Sequence, residues 1–366
     1  MSLFKTNWKF VLDFRMLSIL LLIAVVPFLL GTWWLFSSYQ ESSLQAQGAS
    51  LADAAEMAFN YMNTYLGNQI IEIAGLTEVP VLREAIENKN RDLKKDLNEV
   101  RKEIIAVAQR WRALDYESPE LRAILDNPAS DFLRRYIAVR SAYREIIVTD
   151  FLGRTVAATG KTSDYYHANY AWWKEAYSDG QQGGIFIGDI HYRESARTYS
   201  FDIAQAFVDP KGGVMGVIVA DIDAQEIYSL IDSLRSSFGG TAALIRGNGS
   251  VISVPGFGYL DKRPFAATDE ILKAKEKERR YFISQTEPRS IFGLSSRGFL
   301  AMYPHLDWTL TISSPVQSVI SPLANLRRNI IILMLAVVVG TFLVTLWLSR
   351  IESKPVVEED AHLDQL

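Results

Sequence analysis

The 366-residue sequence contains no cysteine and only four histidines, so disulfides and thiolate metal sites are excluded and any folded part is held by its apolar core. His167, His191, His305 and His362 have no metal-binding spacing along the chain, and His167 and His191 read as surface or rim residues. Glycine-rich pieces such as "GGIFIGD", Gly183 to Asp189, follow no phosphate-loop order, and no nucleophile elbow marks a Ser-His-Asp set. An enzyme is therefore not expected, nor a cofactor. With a formal net charge of −4 and no basic block, nucleic acid is not an expected partner either.

What the chain does have is two long apolar blocks, Met16 to Phe36 and Asn329 to Ser349. Each holds about 20 mainly apolar, uncharged residues, the length a helix needs to cross a hydrocarbon core of roughly 30 Å. The first could instead be a cleaved signal peptide, but its apolar run exceeds the usual length of about 7–15 residues. "GTWWLF" also offers no small-x-small cleavage site, so a retained anchor is the favoured reading. Pro27 would only kink such a span. Lys5, Lys9 and Arg15 against Asp13 put the N-terminus in the cytoplasm. Arg327 and Arg328 stand on the outer side of the second block, against the charge rule, yet a long translocated domain crosses largely regardless of local charge. Trp33, Trp34 and Trp347 fit interfacial anchors in contact with membrane lipid. The expected layout is a cytoplasmic N-terminus at 1–15, a span at 16–36, an extracytoplasmic region at 37–325, a span at 329–349 and a tail at 350–366. That tail is too short to bury a core, so any output belongs to a partner, or the chain is a receptor cut before its signalling module.

From Tyr39 to about Arg112 apolar residues recur at three and four, and Pro80 marks a break before a heavily charged second helix. A further helical piece is expected over Asp131 to Ala142. Strands follow: "REIIVTDFLGRTVAATG" reads as a hairpin turning at Phe151 to Gly153, and "GGIFIGD", "RTYSFDIAQAFVD" and "GGVMGVIVADID" add three more. "DAQEIYSLIDSLRSSF" returns to helix, with Asp223 and Glu226 spaced as a capping box. The order then repeats in shorter form. A hairpin about Asn248-Gly249 is followed by a charged segment and strands in "RRYFISQTEPR", "RGFLAMYPHL" and "DWTLTISSP". The predicted fold is α+β: a long N-terminal helix carrying a distal module at about 143–222 and a proximal module at about 239–318, both antiparallel sheets.

The stretch "DYYHANYAWWKEAY", Asp164 to Tyr177, concentrates six large rings. Tyr166, Tyr170, Trp173 and Tyr177 fall at helical spacing, which suits packing on a sheet. Adjacent helical residues point about 100° apart, so one face cannot bury both Trp172 and Trp173, and Trp172 with Tyr165 is free to border a pocket. In "VMGVIVADID" alternation sets Asp221 on the side of Val217 and Val219, a carboxylate ending an apolar strand face. A buried carboxylate is costly unless paired, so Asp221 needs water, a cationic ligand, or a partner among Arg193, Arg197 and Arg154. Aromatic walls beside carboxylates suit an ammonium-bearing ligand. Tyr199 and Phe201 could line the same cavity, although core packing also suits them.

The order of long helix, two strand-rich modules and second span, together with "DWTLTISSPVQSVI" as a closing strand and helix, resembles the double Cache sensor domain of bacterial transmembrane receptors over about Tyr39 to Ile320. The resemblance implies two PAS-like modules in a two-pass protein of the bacterial inner (plasma) membrane, with a periplasmic domain sensing a small molecule in its distal module and with roles such as chemotaxis. Such receptors generally dimerise and signal through a histidine kinase or chemosensory complex. Members that bind amino acids carry a tyrosine, an arginine shortly after, an aromatic pair and a later aspartate. Tyr165, Trp172, Trp173 and Asp221 match those places, and Asp189 is similar to a further acidic pocket position. Tyr170 stands where the arginine would be. That arginine grips a ligand carboxylate with a bidentate fork, which a tyrosine hydroxyl does not provide. The expected ligand is therefore a small amine or an amino-acid-like molecule, held by Tyr165, Tyr170, Trp172, Trp173, Asp189, Tyr199 and Asp221. The competing expectation is an envelope interaction protein whose pocket is vestigial.

Overall fold

The structure is a computed structural model that describes residues 14–91, 97–193, 197–238, 240–254, 258–260, 265, 267–296 and 303–352. Lys5, Lys9, His362 and most of the tail lie outside these residues. Helix α1 runs from Phe14 to Thr77 with Pro27 inside it, and α2 starts afresh at Pro80, where proline is tolerated in a first turn (Pro80–Arg91). In α1 the three-and-four spacing becomes a buried stripe through Leu51, Ala55, Phe59, Met62, Leu66 and Ile73.

Helices α3 (Leu97–Arg110), α4 (Pro119–Leu125) and α5 (Pro128–Ala138) follow. The helix expected over Asp131 to Ala142 is shifted: Asn127 caps α5 by accepting from Ser130 N at 2.9 Å, and Pro128 sets its first turn. It ends at Ala138, four residues early, because strand β1 already begins at Tyr143 (Tyr143–Asp150).

Strand β1 turns into β2 (Thr155–Ala158) through Gly153, whose φ of 88° favours glycine. After α6 (Ala171–Tyr177) come β3 (Ile185–Ile187), β4 (His191–Arg193), β5 (Thr198–Val208) and β6 (Val214–Asp223). All pairs are antiparallel, in the order β2-β1-β6-β5, with β3 and β4 sharing the far edge of β5. Helix α7 (Gln225–Phe238) leads to the second sheet. The capping box expected there is only half made. Asp223 Oδ1 accepts from Gln225 N at 2.8 Å, but Glu226 binds the Tyr61 hydroxyl at 2.7 Å instead of closing back.

Strands β7 (Thr241–Arg246) and β8 (Val251–Ser253) form the Asn248-Gly249 hairpin. Helix α8 (Thr268–Glu276), β9 (Tyr281–Ile283), β10 (Ser290–Ser295) and β11 (Trp308–Pro315) complete the order β8-β7-β11-β10-β9. Thus the second sheet repeats the hairpin-then-last-strand order of the first. The strand expected at Arg297 to Leu306 falls outside the described residues up to Met302, and Pro304–Leu306 is a 3₁₀ turn. Strands β4 and β10 were not expected from local pattern. Gly293 lets β10 lie directly on α1: a Cβ there would stand 2.3 Å from backbone atoms of Leu51 and Ala52.

Residues 48–314 make one compact unit holding both sheets; residues 1–47 and 315–366 belong to a second. Helix α9 (Val316–Glu352) begins directly after β11. Among the described residues, one helix is long and apolar enough to cross a membrane, Val316–Val344 within α9. Large side chains of α9, including Leu335, Phe342, Leu343 and Trp347, are exposed. Met16 to Phe36 form part of α1, with many of their side chains outside the described residues.

Candidate functional site

Strand register assembles an arrangement that no local pattern contains. Glu145 of β1 faces Asp221 of β6, and Asp221 faces Asp202 of β5, so three carboxylates stand in one row across adjacent strands. The next row on the same face is apolar, Ile147–Val219–Ala204, and the one after it, Thr149–Val217–Ala206, has a threonine as its one polar member. Directly opposed like charges are destabilising in a sheet, so the row requires a cation.

Arg193 supplies one. It reaches in from β4, donating from Nη2 to Asp202 Oδ1 at 2.5 Å, with Nη1 3.9 Å from Glu145 Oε2. Its Nε lies 2.9 Å from Asp221 Oδ2. That last contact is close but not in line: Arg193 Nε and both oxygens of Asp221 are buried without a hydrogen-bond partner. The contact is therefore one of charge rather than a hydrogen bond. The Ser200 hydroxyl, outside hydrogen-bond geometry, stands close enough to Asp221 to help hold its pKa down. One guanidinium thus faces three acids, two formal charges short of neutrality.

The electrostatics follow from this imbalance. Burial pushes Glu145 up to about 7, and the neighbouring Asp221 and Asp202 charges add to the effect while Arg193 opposes it. Burial raises Asp202 and Asp221 too, against Arg193 and His191. Burial would lower Arg193, but Asp202, Asp221 and Glu145 outweigh it and hold its pKa up.

Above the row lies a recess walled by His167, Tyr170 and Trp172, with Ile147 and Val219 on its apolar side. The ring centroids of His167 and Trp172 are 5.3 Å apart. Tyr170 is the exposed lip, its hydroxyl donating to Asp164. The enclosed volume is about 30 Å³, the space of one water. An organic ligand fits only if lining side chains move.

Of the residues read from sequence, Tyr170, Trp172 and Asp221 line this recess; the other four do not. Tyr165 packs on Trp111 at 5.4 Å in a separate core with Leu121 and Ile124. Trp173 faces the sheet, donating from Nε1 to Thr149 Oγ1 at 3.0 Å and stacking on Tyr177. Both tryptophans are buried, on different faces of the short α6: Trp173 packs on the sheet, and Trp172 borders the recess under Tyr170 and His167. Tyr166 and Tyr170 precede that helix, so the helical spacing over 166–177 is not one continuous helix. Tyr199 points to the other side of β5, into a cluster with Tyr192, Tyr228 and Tyr259.

Asp189 is a joint between the modules. Its Oδ1 accepts from Trp308 Nε1 at 3.0 Å and its Oδ2 from Arg246 Nε, while Arg246 Nη2 donates to the Ile190 carbonyl at 2.9 Å. Nearby, His305 Nε2 meets the Ile187 carbonyl at 2.6 Å. The segment that carries His191 and Arg193 to the acid row is thus clamped, two residues earlier, to β7 and β11.

Of the three arginines expected near Asp221, Arg193 is the one that meets it; Arg154 pairs with buried Asp150, Nε to Oδ2 at 2.5 Å, and Arg197 is exposed. Glu145, Asp202 and His167 escaped sequence reading. The alternation of "YREIIVTD" and "TYSFDIAQAF" does place each acid in phase with inward-facing residues. His167 is buried rather than on the rim, and burial lowers its pKa to about 4 against the pull of Asp164.

That shift predicts a pH effect. The unfolded state takes up a proton near pH 6.5 and the folded state only near 4. The stability tied to neutral His167 is complete above about 6.5 and falls through that window by on the order of 3 kcal/mol. In unfolding titrations from pH 7 to 4, His167→Gln should remove this share of the acid sensitivity. An unchanged slope would contradict the assignment.

No protein-family model matches the chain, and no curated protein matches it. Similar solved structures include the extracellular domain of the histidine kinase rpHK1S-Z16, at 13% identity and a TM-score of 0.43, covering 78% of this chain and 98% of that one. The ligand-binding domain of the Pseudomonas fluorescens chemoreceptor CtaA with L-isoleucine is similar at 15% identity and a TM-score of 0.46, over 77% and 98%. That of the Campylobacter jejuni chemoreceptor Tlp3 with 4-methylisoleucine is similar at 14% identity and 0.41, over 67% and 96%.

Proposed function

We propose that this chain is a membrane-bound sensor whose α+β domain lies outside the cytoplasm and takes a small amine or amino-acid-like ligand in the recess of its first module. The observation that carries the reading is the row Glu145–Asp221–Asp202, under-neutralised by Arg193 and roofed by aromatic rings. Aromatic faces and desolvated carboxylates together favour an ammonium group through cation–π attraction and charge-assisted hydrogen bonds. The ligand's ammonium takes Arg193's place on Asp221, whose contact with Arg193 lacks hydrogen-bond geometry. A released Arg193 can then turn its fork to a ligand carboxylate, the role for which Tyr170 is unsuited.

A sensor must bind in one arrangement better than in another. Displacing Arg193 pulls on β4, and β4 continues from the Asp189 joint to Arg246 and Trp308. Strand β11 then runs into α9. In this proposal the two-pass placement in an inner membrane, the homodimer and the cytoplasmic or membrane signalling partner complete the path.

A thermal-shift screen of the full chain in nanodiscs against amines and amino acids tests the reading. A ligand at a hundred times its Kd should stabilise by about 2.7 kcal/mol. The shift should vanish in Asp221→Asn and shrink in Trp172→Ala. The smallness of the enclosed space favours one second reading, a partner-binding envelope protein with a vestigial recess. Silence across the whole panel would select it and end the ligand proposal.

A further inference from the structure

We propose that His191, Asp202 and Asp221 form a binding site for a divalent first-row transition-metal cation of the Zn²⁺ or Mn²⁺ type. The inference rests on reading the recess as a cation-accepting site and deepens it by naming a metal among the cations.

One ligating atom from each of the three side chains lies within 4.8 Å of the others. Bonds of about 2.0–2.2 Å give a coordination sphere with edges of about 3–3.5 Å, so a small side-chain adjustment closes the site. His191 is prepared for the role. Its Nδ1 lies 3.1 Å from the Asp189 carbonyl, which can only accept; the proton is therefore on Nδ1, and the Nε2 lone pair is left for a metal.

Asp221 supplies the independent sign of a ligand. It is 3% exposed, it lines the recess, and neither oxygen has a donor in hydrogen-bond geometry, although Arg193 Nε stands 2.9 Å from Oδ2 and the Ser200 hydroxyl is close by. Arg193 does not block the site. It contacts Oδ1 of Asp202 and Oδ2 of Asp221, leaving each carboxylate a second oxygen, and a hydrogen-bonded ligand carboxylate is the usual outer shell of a metal.

Charge agrees. With Glu145 ionised, three carboxylates and one guanidinium leave an excess of two negative charges, which one divalent cation cancels. One imidazole with two carboxylates suits Zn²⁺ or Mn²⁺ better than a hard ion that prefers oxygen ligands alone.

The test is calorimetric titration of the untagged, chelator-stripped full chain in nanodiscs with Zn²⁺, Mn²⁺ and, as the hard-ion control, Mg²⁺. One equivalent of Zn²⁺ or Mn²⁺ should bind saturably, ahead of Mg²⁺, and chelator should reverse it. His191→Gln and Asp221→Asn should each weaken binding about tenfold or more. His191 is partly exposed on a short edge strand, so its variant keeps the test decisive even if Asp221→Asn folds poorly. No saturable equivalent, a preference for Mg²⁺, or equal binding by both variants would overturn the site. Amine titrations run with chelator separate the two claims. Amine binding without a metal effect overturns only the metal site, and metal binding without an amine response overturns only the organic ligand.

Discussion

Arg193→Ala is expected to lower the stability of the external domain by about 3 kcal/mol at pH 8 with chelator present. Removing one partner of a buried ion pair costs more than the pair contributes, because the remaining charge is stranded in low dielectric. Here three carboxylates are stranded together, since Arg193 is the guanidinium that meets all three among the described residues. The sign of the pH dependence follows from Glu145, already raised to about 7 by burial. A carboxyl raised in the folded state binds protons there first, so stability is fullest below the unfolded value and is lost as pH rises toward the folded one. The deficit of Arg193→Ala should therefore be largest above pH 7 and shrink toward pH 5. Adding Asp202→Asn should recover part of it. Urea unfolding followed by tryptophan fluorescence reads both effects. A loss below about 1 kcal/mol, constant with pH, would mean the row is neutralised by other means.

The second large effect concerns the joint. Arg246→Ala removes the ionic partner of Asp189 and the donor to the Ile190 carbonyl, leaving Trp308 as the remaining proximal contact to that side chain. Charge-assisted bonds of this kind contribute about 1.5–3 kcal/mol. A double-mutant cycle of Arg246→Ala with Asp189→Ala should show a coupling energy of that size. Strict additivity would show that the modules are held elsewhere. Because β4 leaves this joint and carries His191 and Arg193, cutting it should leave a ligand bound yet unable to move β11.

The local parts of this fold were legible because local chemistry determines them. The hairpins at Gly153 and Asn248-Gly249 are marked by residues that tolerate positive φ, and Pro80 and Pro128 fix helix starts. Strands β4 and β10 were not legible. Each is short and is ordered by its neighbour, β4 along the edge of β5 and β10 between β9 and β11, rather than by its own alternation.

The same division runs through the site. Asp221 could be singled out because a carboxylate ends an apolar strand face. Glu145 and Asp202 gain their meaning only when β1 and β5 fall into register on either side of β6, a non-local pairing that no window of sequence displays. Tyr199 and Asp202 lie on opposite faces of one strand, so assigning the wrong phase to β5 exchanged a half-buried tyrosine for the acid. Asp189 carried the right chemistry in the wrong place, because its partners Arg246 and Trp308 belong to the other module.

The central claim is that the acid row accepts a ligand's positive charge. Calorimetric titration of the full chain with a primary amine found to bind, and with its N-acetylated counterpart, tests this most directly. The shape is nearly kept while the charge is removed. The account predicts saturable binding of the amine and a loss of a hundredfold or more, about 2.7 kcal/mol, for the acetylated form. Equal affinity for the two would contradict it.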